Sequence, residues 1–451
     1  MSEAGLRAAT DRMREAGIGG DAVEVFAHYY RQLEAGATGL IAEDTIDPVP
    51  DLPHLNDLVV PDEVAADAFA RTVVIKLNGG LGTSMGMDRA KSLLPVKDGL
   101  SFLDLIVRQV LALRERHGVD LPLIFMNSFR TEADTRAVLA DYPTLPIGAL
   151  PADFPQNREP KLLANDLTPV SWPADPALEW CPPGHADLYP ALRATGLLDR
   201  LIEAGYRYAF CSNSDNLGAV PDPRIAGWMA DHAIPFTLES CRRTPADRKG
   251  GHLAVRKADG RLVLRETAQT SAADMTALQD LERHRYCNTN NLWIDLVRLR
   301  EVLDIAGGVL DLPLIRNRKT VDPSDPLSPE VIQIESAMGA AIQAFEGARS
   351  LLVDRSRFVP VKTTNDLLVL RSDVYEVADD YLVRLAAARA DRGDPYVDLD
   401  PAYYKLMPDF EARFPDGPPS LIEADRLVVR GDVIFGAGTV IRGATEIRSL
   451  D

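Results

Sequence analysis

Residues 76–96 read KLNGGLGTSMGMDRAKSLLPV. Four glycines, Gly79, Gly80, Gly82 and Gly86, fall within eight residues, and Lys91 follows them. Directly before them, Thr72 to Leu77 is a short apolar, β-branched run with the composition of a buried strand. Glycine weakens the interior of any element, so a cluster marks either a tight turn or a backbone that approaches a ligand closely. The pattern then continues as strand, loop, helix. Ser101-Phe102-Leu103-Asp104 has the spacing of a capping box, and Leu103, Ile106, Val107, Val110 and Leu111 form a helical stripe ending at Gly118. Leu121 to Met126 predicts a second strand, Thr131 to Asp134 a helix start, Leu188 to Ala204 a helix, and Tyr206 to Ser212 a further strand. This alternation predicts an α/β domain with a mainly parallel sheet. The glycines then sit at the carboxyl end of its first strand, where open α/β sheets bind ligands.

Outward from this centre the chain changes character twice. Leu6 to Ala16 and Asp21 to Leu33 carry helical patterns broken at Gly17-Ile18-Gly19-Gly20. Ile46 to Glu63, rich in proline and acid, reads as a linker. LAVRKADGRLVL, residues 253–264, predicts a hairpin turning at Asp259-Gly260. Near the C-terminus, RLVVRGDVIFGAGTVIRGATEI (426–447) alternates β-branched triplets with glycines. That pattern fits either hexapeptide coils of a parallel β-helix or a plain β-meander. The expected organisation is a helical segment and linker over 1–62, an α/β domain over 63–375, and linker helices with a short β-helix over 376–451.

With 451 residues, 46% hydrophobic and 26% charged, the composition is that of ordinary globular protein. No apolar run has the length of a membrane span, and the first residues, MSEAGLRAATDRMREAG, lack a signal-peptide core. A cytoplasmic protein is expected. The four cysteines lie far apart with no CxxC pair, so buried free thiols are expected rather than a zinc site or disulfides. A net charge of −18 disfavours nucleic acid or acidic membrane as partner. A small anion remains compatible with a pocket made positive by a few basic residues.

Several segments offer such chemistry. Successive N–H groups in the glycine loop can form an anion-binding concavity, with Lys91 adding a point charge. Neither GxxxxGK[ST] nor GxGxxG is present, and a strand–helix turn with surplus glycine is the plainer alternative. In CSNSDNLG (211–218), Asp215 ends an apolar strand, as a turn residue or a Mg²⁺ ligand beside bound phosphates. In WCPPGHADLY (180–189), Gly184 allows close approach and His185 starts a helix, as a cap or an anion contact. Lys362, in RSRFVPVKTTNDLLVL (355–370), has a strand-like apolar context and is either a snorkelling edge lysine or a charge aimed into a site.

Taken together and in this order, LNGGLGTSMG with Lys91-Ser92, MNSFRTEADT, FPQNREPKL, WCPPGHADLY, CSNSDNLGA, KGGHLAV, CNTNNLWI, VIQIESAMGAAI and RSRFVPVKTTNDLLVL resemble the eukaryotic-type UTP–glucose-1-phosphate uridylyltransferase family. The resemblance covers most of the chain from Val73 onward. It implies a Rossmann-like nucleotidyltransferase domain with a mixed, mainly parallel sheet, an N-terminal helical segment and a C-terminal left-handed β-helix. It implies transfer of the uridylyl group of UTP to glucose 1-phosphate, with Mg²⁺. By matching position, Leu77, Asn78, Gly79 and Gly80 would meet uracil and ribose through the backbone, and Gln156 and Gly184 would hold the base. Lys91 and Lys362 would meet phosphates as catalytic cations, His185 and Asn213 would approach the sugar phosphate and nucleotide, and Asp215 would hold the metal. Gly251, Glu266, Asn288 and Asn290 would lie near the sugar. The tail is shorter than is usual in the family, so a monomer or small homo-oligomer is expected. The same chemistry on galactose or N-acetylglucosamine 1-phosphate, or a silent nucleotide-sugar binder, are the alternatives.

Overall fold

The computed structural model describes residues 2–248, 250–323 and 325–449. The strand Thr72–Asn78 is buried at every position, which is why it reads as one apolar run. It lies inside a seven-stranded sheet in the order Arg349–Leu352, Phe236–Arg242, Tyr286–Asp295, Tyr208–Asn213, Thr72–Asn78, Leu123–Asn127, Asp153–Pro155. Neighbours are parallel except at Tyr286–Asp295, which runs antiparallel to both of its own. Side chains alternate between two cores. Val73, Ile75 and Leu77 pack with Leu188, Leu192 and Leu201 on one face, while Val74 packs with Phe102, Ile106 and Ile225 on the other. The mixed α/β class with a mainly parallel sheet is therefore as expected.

The helix Phe102–His117 has its predicted ends. Ser101 Oγ accepts the Asp104 N–H at 3.1 Å, the Asp104 carboxylate accepts the Ser101 N–H at 3.0 Å, and Gly118 closes the helix in the left-handed conformation. Two other expectations need correction. Leu188 to Ala204 is two helices, Leu188–Ala194 and Leu197–Glu203, because Gly196 adopts φ +66° between them. The stretch read as a linker contains a strand, Ile46–Pro48, that pairs with Ala254–Arg256 of the predicted hairpin. It also contains the start of a helix, Asp62–Ala70, whose apolar face is mostly alanine and so was faint in the pattern.

The N-terminal helices Ser2–Glu15 and Gly20–Glu34 cover a small antiparallel sheet, with Tyr30 and Phe26 packing near Leu162, Ile332 and Ile334. At the other end, Tyr396–Asp398, Ser420–Arg430 and Val440–Arg448 form a parallel sheet. Parallel pairing excludes the meander. Ser420–Arg430 and Val440–Arg448 are also longer than triplets, and Val433 to Phe435 lies outside them. Among the described residues no helix is long and apolar enough to cross a membrane.

Candidate active site

The chain leaves Thr72–Asn78 and builds outward through Leu123–Asn127 to Asp153–Pro155, then returns to add Tyr208–Asn213 on the opposite side. The strand order thus reverses between Thr72–Asn78 and Tyr208–Asn213, and a crevice opens beyond their carboxyl ends. A cavity of about 290 Å³ occupies that point. Leu77, Asn78, Gly79 and Gly80 line it from one strand end, and Asn213, Ser214 and Asp215 from the other. Gln156, Pro182, Gly184 and His185 form a further wall. The expected base, nucleotide and metal residues are therefore gathered in one cavity, with Lys91 among them.

The glycine loop is folded so that its amides are spare. The Lys91 N–H donates to the Gly80 carbonyl at 3.0 Å, and Ser128 Oγ donates to the Gly79 carbonyl at 2.9 Å. Among the described residues, the N–H groups of Gly79, Gly80, Leu81 and Gly82 donate to no protein acceptor. A Cβ on Gly79 would stand 2.6 Å from Gln156 Oε1, and Gln156 in turn donates to the Gly184 carbonyl at 2.9 Å. The loop thus presents bare backbone to the cavity, and Gln156 ties it to the Gly184 turn.

The charged end is centred on Asp215. Its Oδ2 receives Lys91 Nζ at 2.8 Å and Lys362 Nζ at 3.5 Å. Its Oδ1 is buried and, among the described residues, accepts no hydrogen bond. Burial would raise the Asp215 pKa, but the ammonium charges of Lys362 and Lys91 outweigh it and hold it below the usual carboxylate value. Lys91 also donates to the Val361 carbonyl. Lys362 does not lie in a strand, as its neighbours suggested; it immediately precedes Thr363, the N-cap of the helix Thr364–Arg371. Its side chain is 58% exposed, yet it faces the carboxylate.

Asn216 welds these two loops together. Its Oδ1 accepts the N–H groups of Val359 at 2.9 Å and Gly218 at 3.2 Å, and its Nδ2 donates to the Arg357 carbonyl at 3.1 Å. The Val361 N–H donates to the Asp215 carbonyl at 3.1 Å. Beneath them, Arg357 makes a bidentate pair with the fully buried Glu239. Lys76, also buried, donates to Ser212 Oγ at 2.8 Å and the Ala219 carbonyl at 2.7 Å, bracketing the loop that carries Asp215. Its burial lowers its pKa to about 7.

His185 is neutral at physiological pH. Burial first, and the Lys362 charge second, lower its pKa to about 4. Its Nδ1 accepts the Met338 N–H at 3.0 Å, so Nε2 carries the proton and is a donor. Five predicted residues do not line the cavity: Lys362, which reaches Asp215, and Gly251, Glu266, Asn288 and Asn290, which form an adjacent cluster. Asn288 Nδ2 donates to Asn290 Oδ1 at 2.7 Å, and a Cβ on Gly251 would stand 2.5 Å from Glu266 Oε2. This cluster reaches His185 through the turn Met338–Ala344, whose Gly339 lies against Asn288. Sequence reasoning missed Ser92, Met126, Pro182, Ser214 and Glu335, all of which line the cavity.

The four cysteines are buried free thiols, as composition suggested. Among the described residues no group of three or more His, Cys, Asp or Glu forms a metal centre. The arrangement is instead one carboxylate, Asp215, held by two ammonium groups, a second carboxylate, Glu335, in the wall, and a set of free amides. It can hold a polyanion and neutralise it, and among the described residues it contains no nucleophile–base pair.

Comparison with known proteins agrees with this chemistry. A family model described as UTP–glucose-1-phosphate uridylyltransferase matches residues 23–442. The barley (Hordeum vulgare) protein of that name is 38% identical over 396 residues, 87% of this chain and 81% of its own length. The Saccharomyces cerevisiae protein of that name is 38% identical over 384 residues, covering 85% and 75%. A variant of the Leishmania major UDP-glucose pyrophosphorylase, solved in complex with UDP-glucose, is 45% identical with a TM-score of 0.92, covering 99% of this chain and 95% of that one. The Trypanosoma brucei UDP-glucose phosphorylase structure is 42% identical with a TM-score of 0.93, covering 99% and 96%. A family match over residues 23–442, with relatives 38–45% identical over most of the chain, places this protein in the UTP–glucose-1-phosphate uridylyltransferase family.

Proposed function

We propose that this protein transfers the uridylyl group of UTP to glucose 1-phosphate, giving UDP-glucose and pyrophosphate. The observation that carries the reading is the cavity at the strand-order reversal, lined by the glycine loop with its free amides, Lys91 and Asp215, with Lys362 on the same carboxylate. In this reaction a sugar-phosphate oxygen attacks the α-phosphorus as the bond to the β-phosphate oxygen breaks. The nucleophile is already an anion, so no general base is required. The obstacle is charge, an anionic oxygen approaching an anionic phosphorus. Positioning and electrostatic stabilisation are the main means of catalysis for such transfers.

Each group then has a task. The bare amides of Gly79 and Gly80, with Gln156 and Gly184, hold the nucleoside close to the backbone. Lys91 and Lys362 leave Asp215 for the phosphates, and the His185 Nε2–H and Asn213 donate to the sugar phosphate and nucleotide. Asp215 would hold Mg²⁺: its Oδ1 has no donor, and a hard cation takes one carboxylate with phosphate and water oxygens. When bound, the cation would supply further positive charge at the phosphates. Asn288, Asn290, Gly251 and Glu266 offer polar groups to the sugar side. The parallel strands Ser420–Arg430 and Val440–Arg448 support a reading of the C-terminal unit as coils of a β-helix. The buried free thiols and a net charge of −18 support a small-molecule enzyme of a reducing compartment over a nucleic-acid partner.

The test is pyrophosphate release with UTP, Mg²⁺ and a panel of sugar 1-phosphates. Turnover with glucose 1-phosphate above the galactose and N-acetylglucosamine analogues is expected. No turnover with any of them would leave a silent nucleotide-sugar binder.

A further inference from the structure

Ser92 has no task in the reading above, yet it stands in the cavity wall. The residue is only 2% exposed, and among the described residues its buried Oγ has no hydrogen-bond partner. It follows Lys91 on the short turn Lys91–Leu93, which is hydrogen-bonded back to the glycine loop through the Lys91 N–H and the Gly80 carbonyl. Buried hydroxyls are almost always paired, because leaving one unpaired forfeits the hydrogen bonds it made to water. An orphan in the wall of a ligand cavity therefore asks for a ligand atom.

A second orphan narrows the choice. Asp215 lines the same cavity, and among the described residues its Oδ1 is also buried and unpartnered, so the two oxygens do not satisfy one another. The carboxylate oxygen can only accept a donor or bind a cation; the hydroxyl has a proton to donate. Lys91 already has acceptors of its own in Asp215 and Val361. The group that completes both orphans must bring an acceptor to Ser92 and a donor or a cation to Asp215. A polyphosphate carrying a divalent cation does both, and the two ammonium groups on Asp215 Oδ2 favour it over a neutral sugar or base.

We propose that Ser92 is a substrate-contacting residue, its hydroxyl donating to a phosphate oxygen of the bound nucleotide. This rests on the reading of UTP as substrate. It has an unusual consequence: Ser92→Ala removes an unsatisfied group from the free protein, so the free protein keeps or gains stability while nucleotide binding weakens. A purely structural serine would behave the other way.

The experiment measures the melting temperature of the ligand-free protein and calorimetric affinities for UTP with Mg²⁺ and for uridine, in wild type, Ser92→Ala and Ser92→Cys. A hydrogen bond to a charged group corresponds to about ten- to a hundredfold in affinity. For Ser92→Ala the expected result is UTP affinity lowered by about that factor, uridine affinity unchanged, and melting at or above wild type. Ser92→Cys, with its weak S–H donor, should fall between the two. Unchanged UTP affinity in Ser92→Ala overturns the contact. Equal loss for UTP and uridine, with a lower melting temperature, overturns it in favour of a structural serine. A wild-type protein that binds no UTP overturns the uridylyl reading itself, and this inference with it.

Discussion

Lys362 Nζ lies 3.5 Å from Asp215 Oδ2, on the same carboxylate oxygen that Lys91 holds at 2.8 Å. Two ammonium groups on one oxygen leave a local excess of positive charge and a second oxygen with no donor. Without ligand, the carboxylate keeps the lysines together. With a polyphosphate and a cation, the lysines gain better acceptors and the carboxylate gains a metal. The three side chains are thus a charge store that redistributes as substrate arrives.

Asp215→Asn tests the carboxylate. The neutral amide is a poor ligand for a hard cation and gives the lysines no counter-charge. Turnover at low millimolar Mg²⁺ should fall by at least about a hundredfold, with little recovery as Mg²⁺ is raised. Rates near wild type would remove Asp215 from the metal role.

Lys362→Ala separates rate from stability. Its side chain is 58% exposed and packs little, so the melting temperature should barely move, within roughly 0.5 kcal/mol of stability. If the ammonium meets charge that builds up at the reacting phosphate, kcat should fall ~10²–10³-fold. Lys362→Arg should recover only part of this, because a planar fork does not replace a compact point charge. A normally melting Lys362→Ala protein with turnover within a few-fold of wild type would identify an ordinary surface lysine.

His185 gives a prediction in pH. Its pKa is lowered from 6.5 to about 4, first by burial and then by the Lys362 charge. The imidazole should therefore remain neutral through pH 5–8, and His185 should give no inflection in kcat/KM near 6.5. The linkage has a definite sign. As pH falls from about 6.5 toward about 4, the unfolded chain takes up a proton that the folded site refuses, so this group lowers stability across that window. Proton NMR of wild type against His185→Gln checks it; a His185 resonance titrating between pH 6 and 7 would show a solvated ring.

Much of this is legible in the sequence alone. The strand ahead of the glycines is apolar at nearly every position because both of its faces are covered, and the helix 102–117 carries both end signals in its sequence. The cavity residues were found because motifs mark strand ends, and strand ends meet where the strand order reverses. What stayed hidden depended on contacts distant in sequence. Ser92 reads as an ordinary polar residue until its hydroxyl is seen without a partner in the cavity wall. Asn216 links segments 143 residues apart through its bond to Val359. Lys362 looked strand-like because Val359 and Val361 are buried, but that burial comes from packing against the Asp215 loop rather than from a sheet. The short helix Asp62–Ala70 had too few large apolar residues to outweigh the prolines before it.

The glycines can be sorted by what their missing side chains would meet. A Cβ on Gly184 would stand 2.6 Å from the Ser336 carbonyl oxygen and 2.7 Å from its nitrogen, and its φ is +84°. Both neighbours are backbone and cannot swing aside. Gly184→Ala should lose at least about 2 kcal/mol, from the left-handed backbone and the overpacking together, and should carry the wall with Gln156 and His185 out of place. Gly80 is the opposite case: it is exposed, and nothing lies within 4 Å of its would-be Cβ. Gly80→Ala should therefore melt like wild type. Its methyl would still project where the nucleotide approaches the loop amides, so KM for UTP should rise about tenfold or more while stability is unmoved. Gly80→Ala with an unchanged KM for UTP would mean that the loop's bare backbone serves the turn rather than the ligand, and that the nucleotide contacts lie elsewhere on the cavity wall.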